Sequence, residues 1–434
     1  MSQRTMADEA LAARLPTTLP EALRVAAREH GHVRLVFHGS ASVAEATVAE
    51  IHRRACAVAA GLGAMGVGRG EVVAVQLPHR VEEAVAHVAV LLRGAVLMPL
   101  DLSWSAAEVR RVLRSSRAAM LITSAWRSHD VLRVRHARDG LPHLRHVVAV
   151  TGTWPTAGVP ADGLEWETLE RFRPLPPETM SRAGDAALLI HTPTSRGGRS
   201  RGVLHTHASL RAELALTGAV AAGVGRHVHL ASPTSGDLAG TTALLRALVT
   251  GVRSVFLERW DSVTALRALH RHHVTSAALS RFHLAGLLDA AARSRDGLAG
   301  LAECRVLGGV TRAVVEEADR AGVAAYGGYG RAEHPTIALG SPRDALHLRS
   351  AGTGRLLPGN EVRIVDAAGE EVPAGREGHI LSRGPALFQG YLERFAEPLT
   401  ADGWFPTGDR GALDSDGRLR MTGVFQPEGA ADAA

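Results

Sequence analysis

Apolar and polar positions follow one another along this chain in a repeating rhythm of short apolar runs and helix-length amphipathic stretches. From Val48 to Met65, apolar residues recur at 48, 51, 55, 58, 62 and 65, a spacing that lines one face of a helix. Gly66, Gly68 and Gly70 break the pattern, and Val72 to Leu77 reads as a buried strand. A helix from Val81 to Arg93 leads through Gly94 into the apolar run Ala95 to Leu100. Ser105 and Glu108 have the spacing of a capping box ahead of Val109, Val112 and Leu113, and Ala118 to Thr123 is strand-like again. An amphipathic segment from Pro20 to His30, a strand from Val33 to Phe37 and another from Val147 to Thr151 complete this part. Strand, helix and strand at this interval predict parallel βαβ units covered on both faces.

Residues 152–182 are rich in Pro, Gly and Thr and read as a surface crossing. The rhythm then resumes with strands at His229 to Ser232, Ser254 to Leu257, Thr275 to Leu279, Arg305 to Leu307 and Val323 to Tyr326. Between them lie a helix from Leu238 to Val249, one capped by Asp261 and one capped by Thr311. From Gly352 the alternation shortens, with turns at 367–369, 374–375 and 414–417, which predicts a small antiparallel β subdomain. The fold class expected is therefore α/β, with two doubly wound, mostly parallel sheets and a small antiparallel β part. The expected boundaries are 1–182, 183–345 and 346–434.

Composition narrows the picture. The 434 residues exceed one typical core, and 46% hydrophobic with 21% charged residues describes a soluble globular protein. The net charge of +5 is small for this length, and its arginines are dispersed, so no nucleic-acid stripe is expected. No apolar run approaches a membrane span and the first residues lack a signal pattern, so a cytoplasmic location is expected. Two isolated cysteines, Cys56 and Cys304, read as reduced core residues. His270, His272 and His273 close an amphipathic helix and read as a solvated helix end, not as metal ligands. All 49 basic residues are arginine, so chemistry that needs a compact ammonium group cannot come from this chain.

One stretch carries candidate chemistry. Ile190 to His207, IHTPTSRGGRSRGVLHTH, places Thr, Ser, Gly and Arg between two apolar runs. Glycines let amides turn inward, hydroxyls add donors, and guanidiniums fit phosphate oxygens. The same residues also make an ordinary basic hairpin, and GxxxxGK[ST] is absent.

Seven stretches in order resemble the adenylate-forming enzymes, the acyl- and aryl-CoA synthetases and the adenylation domains of peptide synthetases. HRRACAVAAGLGAMGVGRGEVVAVQLP (52–78) and GAVLMPLD (94–101) resemble the family's N-terminal motifs, and 188–207 is similar to its phosphate loop, YTSGTTGxPKGV. LERWD (257–261) and VLGGVTR (306–312) match a core strand and the acyl-pocket glycines, Gly308 and Gly309. GGYGRAE (327–333) resembles GYGxTE, and WFPTGDRGALDSDGRLRMTG (404–423) resembles the TGD motif with its hairpin.

The resemblance implies an ATP-dependent, AMP-forming ligase. Thr192, Thr194, Ser195, Gly197, Gly198 and Gly202 would hold phosphates, with Arg201 in the place of the loop lysine. Tyr329, between Gly328 and Gly330, would stack on adenine, Glu333 would help to hold Mg²⁺, and Asp409 would bind the ribose hydroxyls. A small carboxylic acid would be the substrate, and CoA or a carrier protein the acceptor; nucleic acid and membrane are not implied.

Departures from the family pattern matter as much. Ser200 stands at the loop's Pro position, and Ala332 replaces the Thr before Glu333. Asp237 lies near the usual aromatic-His pair, where it would repel a carboxylate or pair with an amino group on the substrate. Val424 stands at the hinge Arg, and the expectation is that the small C-terminal domain with its lysine is missing. Three functions stay open: an acid-activating enzyme that is impaired or served by a partner carrying the second domain, a ligand-binding or regulatory homologue without turnover, and a repurposed ATP-dependent amide-forming enzyme.

Overall fold

The computed structural model describes residues 15–39, 42–125, 127, 140–152, 158–159, 163–174, 181–192, 201–221, 227–231, 234–352, 354–393 and 398–424. The chain forms two compact units. One comprises residues 10–261 with 388–393, the other residues 262–387 and 394–434 together with 1–9.

The larger unit holds β1 (Arg34–His38), β2 (Val43–Thr47), β3 (Val72–Gln76), β4 (Val96–Pro99), β5 (Met120–Ser124) and β6 (His146–Val150). It continues with β7 (Leu164–Glu165), β8 (Ala186–His191), β9 (Gly202–Thr206), β10 (His229–Leu230) and β11 (Ser254–Leu257), and recruits β19 (Gly390–Tyr391) from late in the chain. Eight of these form one sheet in the order β19-β9-β8-β4-β3-β5-β6-β7. β3 pairs in parallel with β4 and β5, β5 with β6, and β4 with β8; β8 and β9 form an antiparallel hairpin. Its central strands are buried along their length, which is why they read as apolar runs without alternation. Val81–Leu92 is apolar on nearly every side and is buried accordingly, whereas Ala106–Ser115 presents one apolar stripe. The capping box forms as its spacing predicts: Glu108 N donates to Ser105 Oγ at 3.3 Å and Ser105 N to Glu108 Oε2 at 2.8 Å.

A second sheet runs β10-β11-β1-β2, parallel except for the terminal pair. β2, VAEAT, is a half-exposed terminal strand whose short, polar-interrupted sequence carries no strand signal.

The smaller unit contains β12 (Ser276–Ser280), β13 (Glu303–Leu307), β14 (Ala324–Tyr329), β15 (Ala338–Leu339), β16 (Gly354–Leu356), β17 (Glu361–Val365), β18 (Gly378–Arg383), β20 (Phe405–Leu413) and β21 (Arg418–Val424). β12, β13 and β14 are parallel, and β14 then pairs antiparallel with β15 on its other edge. The antiparallel ladder continues through β16, β21, β20, β18 and β17.

The α/β class with mostly parallel strands in the eight-stranded sheet agrees with the sequence reading. The expected subdomain limits do not mark the sheets. Leu97 of β4 is paired with Leu188 of β8, so strands on both sides of 182 share one sheet, and the compact units divide at Asp261/Ser262. Loop composition reveals where elements end but not which sheet edge the next strand joins. The helices His207–Ala221 and Arg281–Ala292 are also additional to the expected elements, because their Ala- and Leu-rich sequences lack a marked polar face.

The histidine cluster needs correction. His272 is buried, and His270 Nε2 donates to Gly297 O at 3.0 Å, so these rings are packed against the protein. His273 alone is exposed, in a left-handed conformation that ends the helix. Among the described residues no group of three or more His, Cys, Asp or Glu could hold a metal ion, and no helix is long and apolar enough to cross a membrane.

Candidate functional site

The candidate residues fall into two groups, one on each unit. In the smaller unit, β14 ends at Tyr329 and the chain folds at once into a closed turn. Arg331 N donates to His334 O at 2.9 Å, His334 N to Arg331 O at 3.1 Å, and Ile337 N to Tyr329 O at 2.8 Å. Gly330 has no room for a side chain, since a Cβ there would lie 1.8 Å from the carbonyl oxygen of Pro335. Gly328 is restricted in the same way by Leu339 and Ala338 of β15.

β20 carries Thr407, Gly408 and Asp409 against this turn. Asp409 N donates to Thr407 Oγ1 at 3.2 Å, and Thr407 Oγ1 donates to Ile380 O at 2.9 Å. Gly408 has φ +74°, which favours glycine. The buried Asp409 carboxylate accepts two hydrogen bonds on one oxygen, from Tyr329 OH at 2.8 Å and from Arg331 Nη1 at 2.9 Å, both on Oδ2. Arg331 Nε lies 3.7 Å from Glu333 Oε2. Burial, with the Asp409 charge adding to it, pushes the Tyr329 phenol well above its ordinary range. Its ring packs in a cluster with Ile337, Ala338, Ile364, Ile380 and Leu419. Tyr329 and Asp409 are thus in direct contact, and Arg331 stands between Asp409 and Glu333.

Three further residues shape this place. Arg331 is one. Behind the turn, His334 is fully buried, with Nδ1 3.1 Å from Ser382 Oγ and Nε2 3.2 Å from Asn360 Oδ1. Asn360 Nδ2 donates to Thr336 O at 2.8 Å and Ile337 O at 3.0 Å. Asn360 is the only asparagine in the chain, a compositional oddity that could have singled it out.

Gly308 and Gly309 follow β13 with φ +73° and +94°, and space at both is open. They form the turn into the helix Arg312–Arg320, which Thr311 caps by accepting from Val314 N at 3.5 Å.

In the larger unit, Thr192 and Arg201 close the β8–β9 hairpin. Thr192 N donates to Arg201 O at 3.0 Å, and Arg201 N to Thr192 Oγ1 at 3.4 Å. Thr194, Ser195, Gly197 and Gly198 lie outside the described residues. Arg201 turns its guanidinium over the Tyr391 ring, 5.2 Å from the centroid. Gly202 is constrained by packing, because a Cβ would sit 2.9 Å from Leu392 Cβ, and its N–H already donates to Glu393 Oε2 at 3.1 Å. Tyr391 and Glu393 carry no signal in the sequence; β19 brings them here by pairing with β9.

Asp237 is a helix cap. Its carboxylate accepts from Gly240 N and from Thr234 Oγ1, both at 2.7 Å, at the start of Leu238–Thr250. Burial, reinforced by Asp101, pushes this carboxyl above the usual range.

Two histidines flank the hairpin in buried positions. Burial brings His191 and His207 down to about 4 each, with the Arg111 charge adding to the effect at His191. Both imidazoles are therefore neutral in the fold at pH values where the unfolded chain binds protons. Stability from this source is full above about pH 6.5 and is lost as pH falls towards about 4. The expected loss between pH 7 and pH 5 is about 2 kcal/mol for each ring. Urea unfolding of the parent and of His191→Phe at both pH values measures it, and an equal pH dependence in the two proteins would refute the assignment.

Against known proteins, residues 23–392 match the family described as AMP-binding enzyme. The chain is 28% identical over 394 residues to the medium-chain fatty-acid–CoA ligase of Escherichia coli (strain K12), covering 87% of this chain and 67% of that one. It is 27% identical over 380 residues to the 2-succinylbenzoate–CoA ligase of Bacillus licheniformis, covering 86% and 73%. In structure it is similar to the anthranilate CoA ligase AuaEII in complex with anthranoyl-AMP, with a TM-score of 0.84, 21% identity, and coverage of 95% of this chain and 79% of that one. The ordered motifs, the fold and the length of the match agree, and the chain belongs to the AMP-binding enzyme family, the adenylate-forming superfamily of ligases.

Proposed function

We propose that this chain binds ATP and activates a small carboxylic acid as an acyl-adenylate. The observation that carries this reading is the buried Asp409 carboxylate at the TGD turn, in contact with Tyr329 and with Arg331 between it and Glu333. A buried acid held by a backbone turn is a rigid acceptor, suited to neutral hydroxyls such as those of a ribose. In the reaction, a substrate carboxylate oxygen forms a bond to the α-phosphorus of ATP as the bond to the bridging oxygen breaks, and pyrophosphate leaves. Displacement of AMP by a thiol, of CoA or of a carrier, follows in the relatives' kind of chemistry. No protein nucleophile takes part, so the chain contributes position and charge.

The donor set fits Mg²⁺ in the mode that ion prefers on nucleotides, one carboxylate with phosphate oxygens completing the shell. Glu333 would supply that carboxylate, and the ion when bound would neutralise phosphate charge. The cations on this chain are all arginines, of which Arg331 stands beside Asp409 and Glu333. A second reading, a homologue that binds nucleotide without turnover, is favoured by Arg201 lying on Tyr391 and by the Gly202 amide serving Glu393.

Exchange of labelled pyrophosphate into ATP, run with Mg²⁺ over a panel of aliphatic and aromatic acids, tests the first reading. Acid-dependent exchange is the expected result. AMP binding without exchange for any acid would move the conclusion to the second reading, and a separately added lysine-bearing C-terminal domain that restores exchange would show partner dependence.

A further inference from the structure

Asp409 offers two carboxylate oxygens, each able to accept about two hydrogen bonds. Both bonds it accepts among the described residues fall on Oδ2, one from Tyr329 OH and one from Arg331 Nη1. Oδ2 is therefore saturated and Oδ1 is left for a ligand. Arg331 comes from the same closed turn as Glu333, with its backbone fixed by the reciprocal bonds to His334. Among the described residues its Nε is buried without a hydrogen-bond partner, 3.7 Å from Glu333 Oε2, and its short bond goes to Asp409, so the guanidinium rests between two acids. A vicinal diol grips a carboxylate with one hydroxyl on each oxygen, and here one of those oxygens is taken.

We propose that Arg331 sets how a ribose is held at Asp409: its guanidinium fills half of the carboxylate, so a nucleotide is admitted through a single sugar hydroxyl. The proposal rests on the nucleotide-binding reading above and adds the residue that limits it. Arg331 is a specificity-determining residue, because it acts on the ligand by competing for an acceptor. Removing its side chain frees a lone pair on Oδ2 and lets both hydroxyls bind.

The readout is a ratio, so that loss of a positive charge near the phosphate cancels. Calorimetry would compare AMP with 2′-deoxy-AMP and with 3′-deoxy-AMP, for the parent protein, Arg331→Met and the charge-preserving Arg331→Lys. In the parent, one of the two deoxy compounds is expected to bind within about threefold of AMP, since only one hydroxyl is used. In Arg331→Met, both deoxy compounds are expected to bind about tenfold more weakly than AMP, the scale of one hydrogen bond to a charged group. Arg331→Lys is expected to lie between them. An unchanged pair of ratios in Arg331→Met, or a parent that already loses tenfold with each deoxy compound, would overturn the proposal while leaving nucleotide binding in place. If neither the parent nor Arg331→Met binds AMP, the nucleotide reading itself fails and takes this proposal with it. Thermal unfolding of the three proteins guards against misfolding: Arg331 is more than one-third exposed, and all three are expected to unfold cooperatively.

Discussion

Replacing Asp409 with alanine is expected to reduce AMP affinity by about tenfold or more, the scale of the hydrogen bond from a sugar hydroxyl that it removes. Among the described residues Asp409 is the acceptor for both Tyr329 OH and Arg331 Nη1, and its carboxylate is almost wholly shielded from water. Hydrogen bonds to a shielded charge are worth more than those at the surface, because no water competes for the donor. Alanine also removes the acceptor that takes the Tyr329 hydroxyl hydrogen and one arm of Arg331, so the fold itself should loosen. Asp409→Asn separates the two effects: it keeps an acceptor of the same shape beside Tyr329 but lacks the charge. We expect the asparagine variant to melt closer to the parent than alanine does, while still binding AMP at least about tenfold more weakly. Parent-like affinity in Asp409→Ala would refute the placement of the nucleotide at this turn.

Asn360→Ala is expected to give the largest loss of stability, on the order of 3–5 kcal/mol, seen as a fall in the unfolding midpoint of roughly 10 °C. The amide uses both ends. It donates to two backbone carbonyls, of Thr336 and Ile337, and its oxygen faces His334 Nε2. Truncation would take a donor from the carbonyls of Thr336 and Ile337, the latter still accepting from Leu357 N, and the facing oxygen from His334 Nε2, in a place shielded from water. Asn360→Asp is the sharper control. The acid keeps one acceptor for His334 but turns an oxygen towards two carbonyl oxygens, so its deficit should grow as pH rises and the acid ionises. A midpoint within about 2 °C of the parent for Asn360→Ala would show that the network is dispensable.

Much of this architecture was legible in the order of residues. The capping box at Ser105, the cap at Thr311 and the buried strands of the eight-stranded sheet follow from spacing and apolarity alone, because those signals are local. The meeting of Tyr329 and Asp409 followed from motifs that the chain shares with a known family. What escaped was non-local. Arg331 sits inside a recognised motif at a position where the motif specifies nothing, and only the fold shows that its guanidinium meets an acid 78 residues away. The place of Asp237 in the family order points to a pocket, yet an Asp three residues before a glycine amide is also a helix cap, and that local role is the one its hydrogen bonds fill. The role of Gly202 was likewise hidden, since nothing near it in sequence announces Leu392 or Glu393.

The return of residues 388–393 to the larger unit has a practical consequence for anyone cutting this protein. A fragment that stops at Asp261 would keep every helix of that unit but would forfeit β19, leaving one flank of β9 with bare backbone donors and acceptors. Gly202 would lose both the Leu392 side chain packed on it and the carboxylate that accepts a hydrogen bond from its N–H. Such an uncovered strand is a template for pairing with another molecule, so the shortened protein should self-associate. A fragment of this unit that stays monodisperse would have to carry the strand with it, grafted after Asp261 through a flexible tether.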